Sequence, residues 1–292
     1  MNAEALFTRW DIPWAVTCAL MATAAIYVRG FIRIRRTRPA EFPYWRCVCF
    51  CAGIAAIFVA VASPLDAFAD RMLSIHMVQH FFLWSVAPIL AIFGAPVAPM
   101  LRGLPGAAIR ALRPLFAAGV LHHVGGFLTR LRVAWLIWTL SFVIWHIPAM
   151  YDQALASETV HECEHACFFF ASLIFWWPVI APWPFRRPGF TRSGDSRRWM
   201  LIPYLLLADV VNTAVSALLC FSGRVLYPGY LLEPRLFGLS ALNDQIAAGA
   251  FMWVSGSMMY LIPAMAITMH LLAPRARRPA VERMAAAQRS AQ

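Results

Sequence analysis

The sequence contains no lysine, and acidic residues are few, with only 14 Asp and Glu in 292 residues. Charged residues make up 13% of the chain, whereas soluble domains carry about 25%. This scarcity of charge argues against a water-soluble globule. The 61% content of hydrophobic residues excludes intrinsic disorder, and the seven cysteines form no pattern that would predict a disulfide-stapled scaffold.

The abundant feature is a set of long apolar segments. None of them alternates with the period of a barrel strand, and a helix satisfies its own backbone hydrogen bonds in lipid. The sequence therefore predicts an all-α polytopic membrane protein with seven transmembrane helices. We expect residues 1–272 to form one transmembrane domain and residues 273–292 to form a basic, disordered cytoplasmic tail. The predicted spans are 13–32, 46–62, 73–98, 133–150, 160–181, 199–221 and 244–271.

The arginines predict the orientation of these helices. Alternate connections carry 21 of the 25 arginines, in segments 29–46, 99–132, 182–198 and 273–292. Cytoplasmic loops of membrane proteins are enriched in basic residues, so the N-terminus is predicted outside and the C-terminus inside. The net charge of +11 is explained by these blocks, and we expect contact with membrane lipid and none with nucleic acid.

Five of the eight histidines are predicted to lie at one depth, near the outer ends of three helices. Residues four apart on a helix differ by about 40° in direction, so each i,i+4 histidine pair forms a column. Methionines extend these columns by one turn, and an aspartate begins the seventh span at the same level. The candidate metal ligands are His76, His80, His146, His161, His165, Met72, Met150 and Asp244.

Ionisable residues inside a bilayer are costly and usually functional, so we interpret the histidines as one shared metal site. Neutral imidazole is the commonest protein metal ligand, and thioethers shift the preference toward copper(I) over zinc. Gln79 and Glu164 lie close to His76 and His161 on their helical wheels and are expected to accept hydrogen bonds that orient the imidazoles.

Other interpretations of the histidines remain open at this point. His161, Glu162 and His165 match the H-E-x-x-H pattern of zinc metalloproteases. Histidines from two helices can also hold haem, and di-iron membrane hydroxylases use histidine clusters. We favour a metal-binding protein that is not an enzyme over these alternatives.

The sixth span carries a polar stripe that begins with Asp209 and Asn212. An acid near the membrane midplane is a candidate for ion passage, which would make the protein a copper transporter. Small polar residues also form hydrogen-bonded seams between helices, and this is the interpretation we favour for the stripe.

Several blocks of the sequence resemble the CtaG family of cytochrome c oxidase assembly factors, which are seven-span proteins of bacterial inner membranes. The resemblance covers roughly residues 46–270, with the order of blocks intact. The matching blocks are HMVQHFFLWSVAPILAIFGAP (76–96), WHIPAMYDQAL (145–155), VHECEHACFFFASLIFWWPVIAP (160–182), SGRVLYPGY (222–230) and NDQIAAGAFMWVSG (243–256).

The resemblance implies a role in the maturation of a haem–copper oxidase, through delivery or insertion of copper near the periplasmic face. The expected partners are an oxidase subunit or a copper chaperone, and the expected location is the bacterial inner membrane. Glu162 is not part of the family's pattern. The pattern falls on His76, His80, His146, His161, Glu164, His165, Asp244 and Gln245, with Gln245 expected to support the site.

Overall fold

The computed structural model describes residues 10, 12–117, 119–180, 198–233 and 236–273, and within these ranges it is helical, without strands. The predicted tail, Glu4, Arg9, Asp11 and the arginines of segment 186–197 lie outside the described residues.

The helices are α1 (Trp14–Arg35), α2 (Tyr44–Ala62), α3 (Pro64–Ala69), α4 (Leu73–Phe81), a π-helical turn (Phe82–Val86), α5 (Ala87–Phe93), α6 (Val97–Gly103), α7 (Gly106–Ala117), α8 (Val120–Leu128), α9 (Leu131–Trp145), α10 (Pro148–Ala156), α11 (Glu158–Ile180), α12 (Leu201–Phe221), a 3₁₀ turn (Pro228–Leu231) and α13 (Ala241–Leu272).

Six of the described helical segments are long and apolar enough to cross a membrane. They are α1, α2, the continuous run from α4 to α5, α11, α12 and α13. A seventh crossing results if α9 and α10, which meet at an angle of 72°, are counted as one broken span. The structure thus agrees with six or seven crossings.

The fourth predicted span, 133–150, is not the single straight helix that the sequence prediction assumed. Helix α9 ends at Trp145, and α10 starts at Pro148 after a sharp bend. Pro148 has no N–H to continue the helix, and a proline disfavours helical geometry at the residue before it. Ile147 is accordingly extended (φ −70°, ψ 127°). The column from His146 to Met150 therefore does not form.

The third predicted span is interrupted by a π-helical turn directly after the histidine helix. Pro88 lacks an amide hydrogen, so it cannot complete the regular ladder, and the amide of Ala87 bonds the Phe82 carbonyl five residues back. The helix then ends at Phe93, because Ala95 adopts a positive φ of 48°. π-turns occur frequently at functional sites.

Two arginine-rich segments meet at one end of the bundle, which we name the arginine end. Arg33 Nη1 donates to the Arg102 carbonyl at 3.0 Å, and Arg102 Nη1 donates to Thr37 Oγ1 at 3.2 Å. Helices α1 and α6 can touch here because Gly30 faces the Pro99 backbone, where a Cβ would clash. The membrane side of this end stays a prediction from the arginine distribution.

The polar stripe of the sixth span lies in the contact between α12 and α13. Ser257 donates to Asp209 Oδ1 at 2.7 Å, and Asn212 Nδ2 donates to the Met252 carbonyl at 3.3 Å. A Cβ at Gly256 would collide with the Asn212 amide, so this glycine allows the two helices to approach. The stripe joins two helices, as in a hydrogen-bonded seam.

Candidate metal centre

The histidines of α4 and α11 meet in the interior of the bundle, at the end opposite the arginine end. The rings of His76 and His161 have centroids 5.2 Å apart, as do those of His80 and His165. Within each helix the paired rings are 4.1 and 4.2 Å apart. His76 and His80 are buried. The predicted columns therefore form and face each other.

The centre of this cluster is a group of four side chains with metal-ligating atoms. One ligand atom from each of His76, His80, His161 and Glu164 lies within 4.8 Å of the others. Ligand atoms about 2.0 Å from a tetrahedral ion are roughly 3.3 Å apart, so small side-chain rotations would bring the four atoms around a cation. Glu164, which we expected beside the site, belongs to this group, with its Oε1 3.8 Å from His80 Nδ1.

Most ring nitrogens of the cluster lack a hydrogen-bond partner in the part of the chain that the structure describes, which indicates a ligand. Seven of the ten ring nitrogens of the five histidines, and Glu164 Oε2, are buried without a hydrogen-bond partner among the described residues. Buried polar side-chain atoms nearly always have a partner, because an unsatisfied one costs about 1–3 kcal/mol. The donor set fits a cation that accepts several imidazole nitrogens.

His146 and His165 flank this central group. His146 follows the last residue of α9, and its Nδ1 lies 2.7 Å from the Phe142 carbonyl. A ring nitrogen that donates to a carbonyl leaves the other nitrogen as a free acceptor, and His146 Nε2 is buried without a partner in the described part of the chain. The His146 ring packs on Phe142 and Phe168, and the His165 ring contacts those of His80 and His161.

Asp244, an expected metal ligand, caps the helix that carries His76 and His80. Its Oδ2 accepts from the Leu73 amide at 2.7 Å, and its Oδ1 accepts from the amide and the hydroxyl of Ser74. These are free N–H groups of the first turn of α4, where a carboxylate is stabilised. Asp244 is therefore positioned to hold the histidine helix and lies outside the group of four.

The two glutamines make contacts away from the imidazoles. Gln79 Nε2 donates to the Ala60 carbonyl at 2.9 Å and to Asp66 Oδ1 at 2.5 Å, so it ties α4 to α2 and α3. Gln245 accepts from the Leu226 amide at 2.7 Å and donates to the Arg224 carbonyl at 3.0 Å. It thereby shapes the loop between α12 and α13.

The two expected thioether ligands, Met72 and Met150, pack among apolar side chains. Met72 packs in a small apolar cluster with Phe68 and Leu236. Met150 lies on α10, beyond the bend, and packs against the large core cluster. The group of four itself consists of three imidazoles and one carboxylate.

The two acids of the HECEH motif have opposite environments. Glu162 is exposed, whereas Glu164 is buried in the cluster. A zincin places the glutamate of H-E-x-x-H beside its metal as the general base. Here that position is held by Glu162, which is exposed and does not belong to the group of four, so the geometry does not match a metalloprotease.

Three buried tyrosines cover the cluster and were absent from the predicted site. The Tyr151 ring contacts that of His76 with centroids 5.1 Å apart, and its hydroxyl lies 2.9 Å from that of Tyr230. Tyr230 donates to the Ala69 carbonyl, and Tyr227 donates to the His146 carbonyl, both at 3.0 Å. Burial raises the pKa of Tyr227 and of Tyr230, so both phenols stay protonated at neutral pH. The tyrosines of the motifs AMYD (149–152) and LYPGY (226–230) were the sequence feature from which this cover could have been predicted.

The loop that carries two of these tyrosines is fastened to the histidine helix. Arg71 and Glu233 form an ion pair with a nitrogen–oxygen distance of 2.7 Å. Arg71 immediately precedes Met72 at the start of α4, and Glu233 follows the 3₁₀ turn. The loop between α12 and α13, with Tyr227 and Tyr230, therefore covers the histidine cluster, and we name it the tyrosine loop.

Comparison with known proteins gives the following relatives. Uncharacterized proteins of Mycobacterium bovis and Mycobacterium tuberculosis are each 29% identical over 196 residues, which is 65% of this chain and 29% of theirs. A further uncharacterized protein, from Mycobacterium leprae, is 27% identical over 199 residues, which is 66% of this chain and 30% of that protein. This chain therefore spans less than a third of the length of these relatives. No solved structure matches it significantly.

One family matches most of the chain. Residues 25–273 match the family described as cytochrome c oxidase caa3 assembly factor, Caa3_CtaG. The matched range contains all five histidines of the cluster, Glu164 and the three tyrosines above them. The chain belongs to the Caa3_CtaG family of cytochrome c oxidase assembly factors.

Proposed function

We propose that this protein binds copper(I) as cargo in the histidine cluster and passes it to a haem–copper oxidase during assembly, at the periplasmic face of a bacterial inner membrane. The observation that carries the proposal is the buried group of His76, His80, His161 and Glu164, with ring nitrogens that lack partners among the described residues. Membership of an assembly-factor family supports a role without catalysis.

Charge balance favours a monovalent ion in this site. Imidazole ligands suit copper, zinc, iron and nickel alike, so the ring nitrogens alone do not select a metal. Glu164 is buried and is the one carboxylate in the group of four. One copper(I) ion and one ionised carboxylate form a neutral pair, whereas zinc would leave a net positive charge, which is costly in a buried site.

The surplus of imidazoles supports release as well as binding. Four donors saturate a tetrahedral ion, and the cluster offers five histidines and Glu164. His165 contacts two of the central rings, so it can replace one of them while the ion stays ligated. Stepwise exchange of ligands avoids a bare ion in a low-dielectric interior, as a protein that hands over its cargo requires.

Copper(I) binding by the purified protein tests the proposal. We expect His76→Ala, His80→Ala, His161→Ala or His165→Ala to weaken copper(I) binding more than tenfold, about 1.4 kcal/mol, in competition with a chromogenic chelator. His146→Ala should have an equal or somewhat smaller effect. His123→Ala and His270→Ala are the controls, because both residues are exposed and lie outside the cluster.

The outcomes that would contradict the proposal are distinct. Equal, small effects at all seven positions in folded protein would mean that no copper site exists in the cluster. A Soret band in the absorbance spectrum would identify a haem protein. Accumulation of radioactive copper by vesicles that contain the protein would identify a transporter.

A further inference from the structure

A second candidate binding site is a groove whose lining contains none of the residues of the group of four. This groove of about 670 Å³ is lined by α2, α5, α11 and α13, together with Phe81 at the end of α4. Its volume is within the range of roughly 300–1,000 Å³ typical of small-molecule sites. The lining is apolar or aromatic except for Arg46 and Ser255, and the Ser255 hydroxyl donates to the Phe251 carbonyl of its own helix.

The length of the groove along α13 is close to the thickness of the hydrocarbon layer of one bilayer leaflet. Its wall on α13 extends from Ser255 to Ile267, which corresponds to about 18 Å of helix at 1.5 Å per residue. Half of the hydrocarbon core of a bilayer is about 15 Å. An acyl chain of one leaflet would therefore fill the groove along its length.

The only charged residue of the lining lies at the arginine end. Arg46 is in the first turn of α2, and Phe93, at the end of α5, lines the groove with it. Tyr27 joins these two helix ends by donating to the Gly94 carbonyl at 2.7 Å and to the Arg46 carbonyl at 3.3 Å. Guanidinium binds phosphate with directed hydrogen bonds, and basic pockets between transmembrane helices bind anionic headgroups.

We propose that the groove is a binding site for an anionic phospholipid, with one acyl chain between the four helices and the phosphate at Arg46. The positive charge of Arg46 at one end of an otherwise apolar lining favours an anionic lipid over an uncharged occupant. An anionic lipid offers an acyl chain to the apolar wall and a negatively charged headgroup to the arginine at its end.

Native mass spectrometry of the detergent-purified protein tests this site with two lipids of identical chains, palmitoyl-oleoyl phosphatidylglycerol and phosphatidylcholine. We expect phosphatidylglycerol to bind at least tenfold more tightly. Arg46→Gln should remove this preference, while Arg130→Gln, which changes an exposed arginine outside the groove lining, should keep it.

A second pair of variants tests the acyl-chain part of the groove. Ala266 lines the groove, and Met265 is exposed beside it on the same helix. Ala266→Trp should reduce binding of both lipids, and Met265→Trp should leave it unchanged. Ile262→Trp, on the open side of the groove, replaces Ala266→Trp if that variant does not fold.

Three results would overturn the lipid site: equal binding of the two lipids to the unmodified protein, a preserved preference in Arg46→Gln, or equal effects of the two tryptophan variants on helix α13. Displacement of phosphatidylglycerol by millimolar inorganic phosphate would also overturn it, because the acyl chain would then contribute nothing. Copper(I) binding should be unchanged in all these variants, so the result does not depend on the proposed function.

Discussion

At the scale of single residues, the two acids of the HECEH motif offer a matched test of the site. Glu164→Gln keeps the shape of a buried side chain but removes the negative charge that balances copper(I), so we expect copper(I) affinity to fall more than tenfold, about 1.4 kcal/mol. Glu162→Gln changes an exposed residue and should leave affinity unchanged. Chelator competition on the two purified variants measures both effects.

The reverse order of effects would contradict the assignment of roles. If Glu162→Gln lost function and Glu164→Gln retained it, the motif would act as H-E-x-x-H, with Glu162 in the role of a general base. The test therefore separates metal handover from proteolysis with a change of one atom at each position.

The residues also show how far helical periodicity predicts a site. The two histidine pairs were predictable, because i,i+4 spacing on unbroken helices determines a shared face. Glu164 was predicted to lie near His161, and only the structure placed it among the ligand atoms. The expected column from His146 to Met150 does not form, because the prediction carried one helix through Pro148, where α9 and α10 are bent by 72°.

At the scale of helices, Asp244 links the seventh span to the histidine helix. Asp244→Ala leaves the first amides of α4 without their acceptor, and loss of a helix cap costs about 1 kcal/mol. We expect faster amide hydrogen exchange in residues 73–77 and weaker copper(I) binding, since His76 begins the next turn. Asn243→Ala, at an exposed neighbouring position, is the control.

A direct role of Asp244 as a metal ligand would give a different result. Asp244→Asn retains an oxygen that can accept from one amide but loses the charge. Under the capping role this variant should bind copper(I) better than Asp244→Ala. Equal loss in both variants, with unchanged exchange in residues 73–77, would show that the carboxylate acts on the ion and not on the helix.

At the scale of the whole molecule, the orientation in the membrane is the main prediction that rests on the sequence alone. A reporter active only outside the cytoplasm should be active when fused after Tyr230 and silent when fused after Arg192, because the arginine-rich connections are expected inside. The opposite pair of results would move the histidine cluster to the cytoplasmic side. Intermediate activity at both positions would indicate mixed insertion and would equally contradict one fixed orientation.

The apolar spans were predictable from hydropathy, whereas tertiary contacts were not. Apolar segments of about 20 residues are visible in the sequence, and six of them are long helices in the structure. The position of the tyrosine loop is set by the Arg71–Glu233 ion pair and by the hydrogen bonds of Gln245. These residues contact partners that are far away in the sequence. Such pairings have no periodic signal from which a single sequence could predict them.

The cap on α4 has a consequence for how the protein is made. Leu73 and Ser74 emerge early during synthesis, but the carboxylate that holds them, Asp244, belongs to the last helix of the bundle. A growing chain therefore carries all its cluster histidines in the membrane before their supporting residue has been translated. Under the proposed function, we therefore expect a product truncated before residue 241 to bind copper(I) more weakly than the full chain, because the first turn of the histidine helix then lacks its cap.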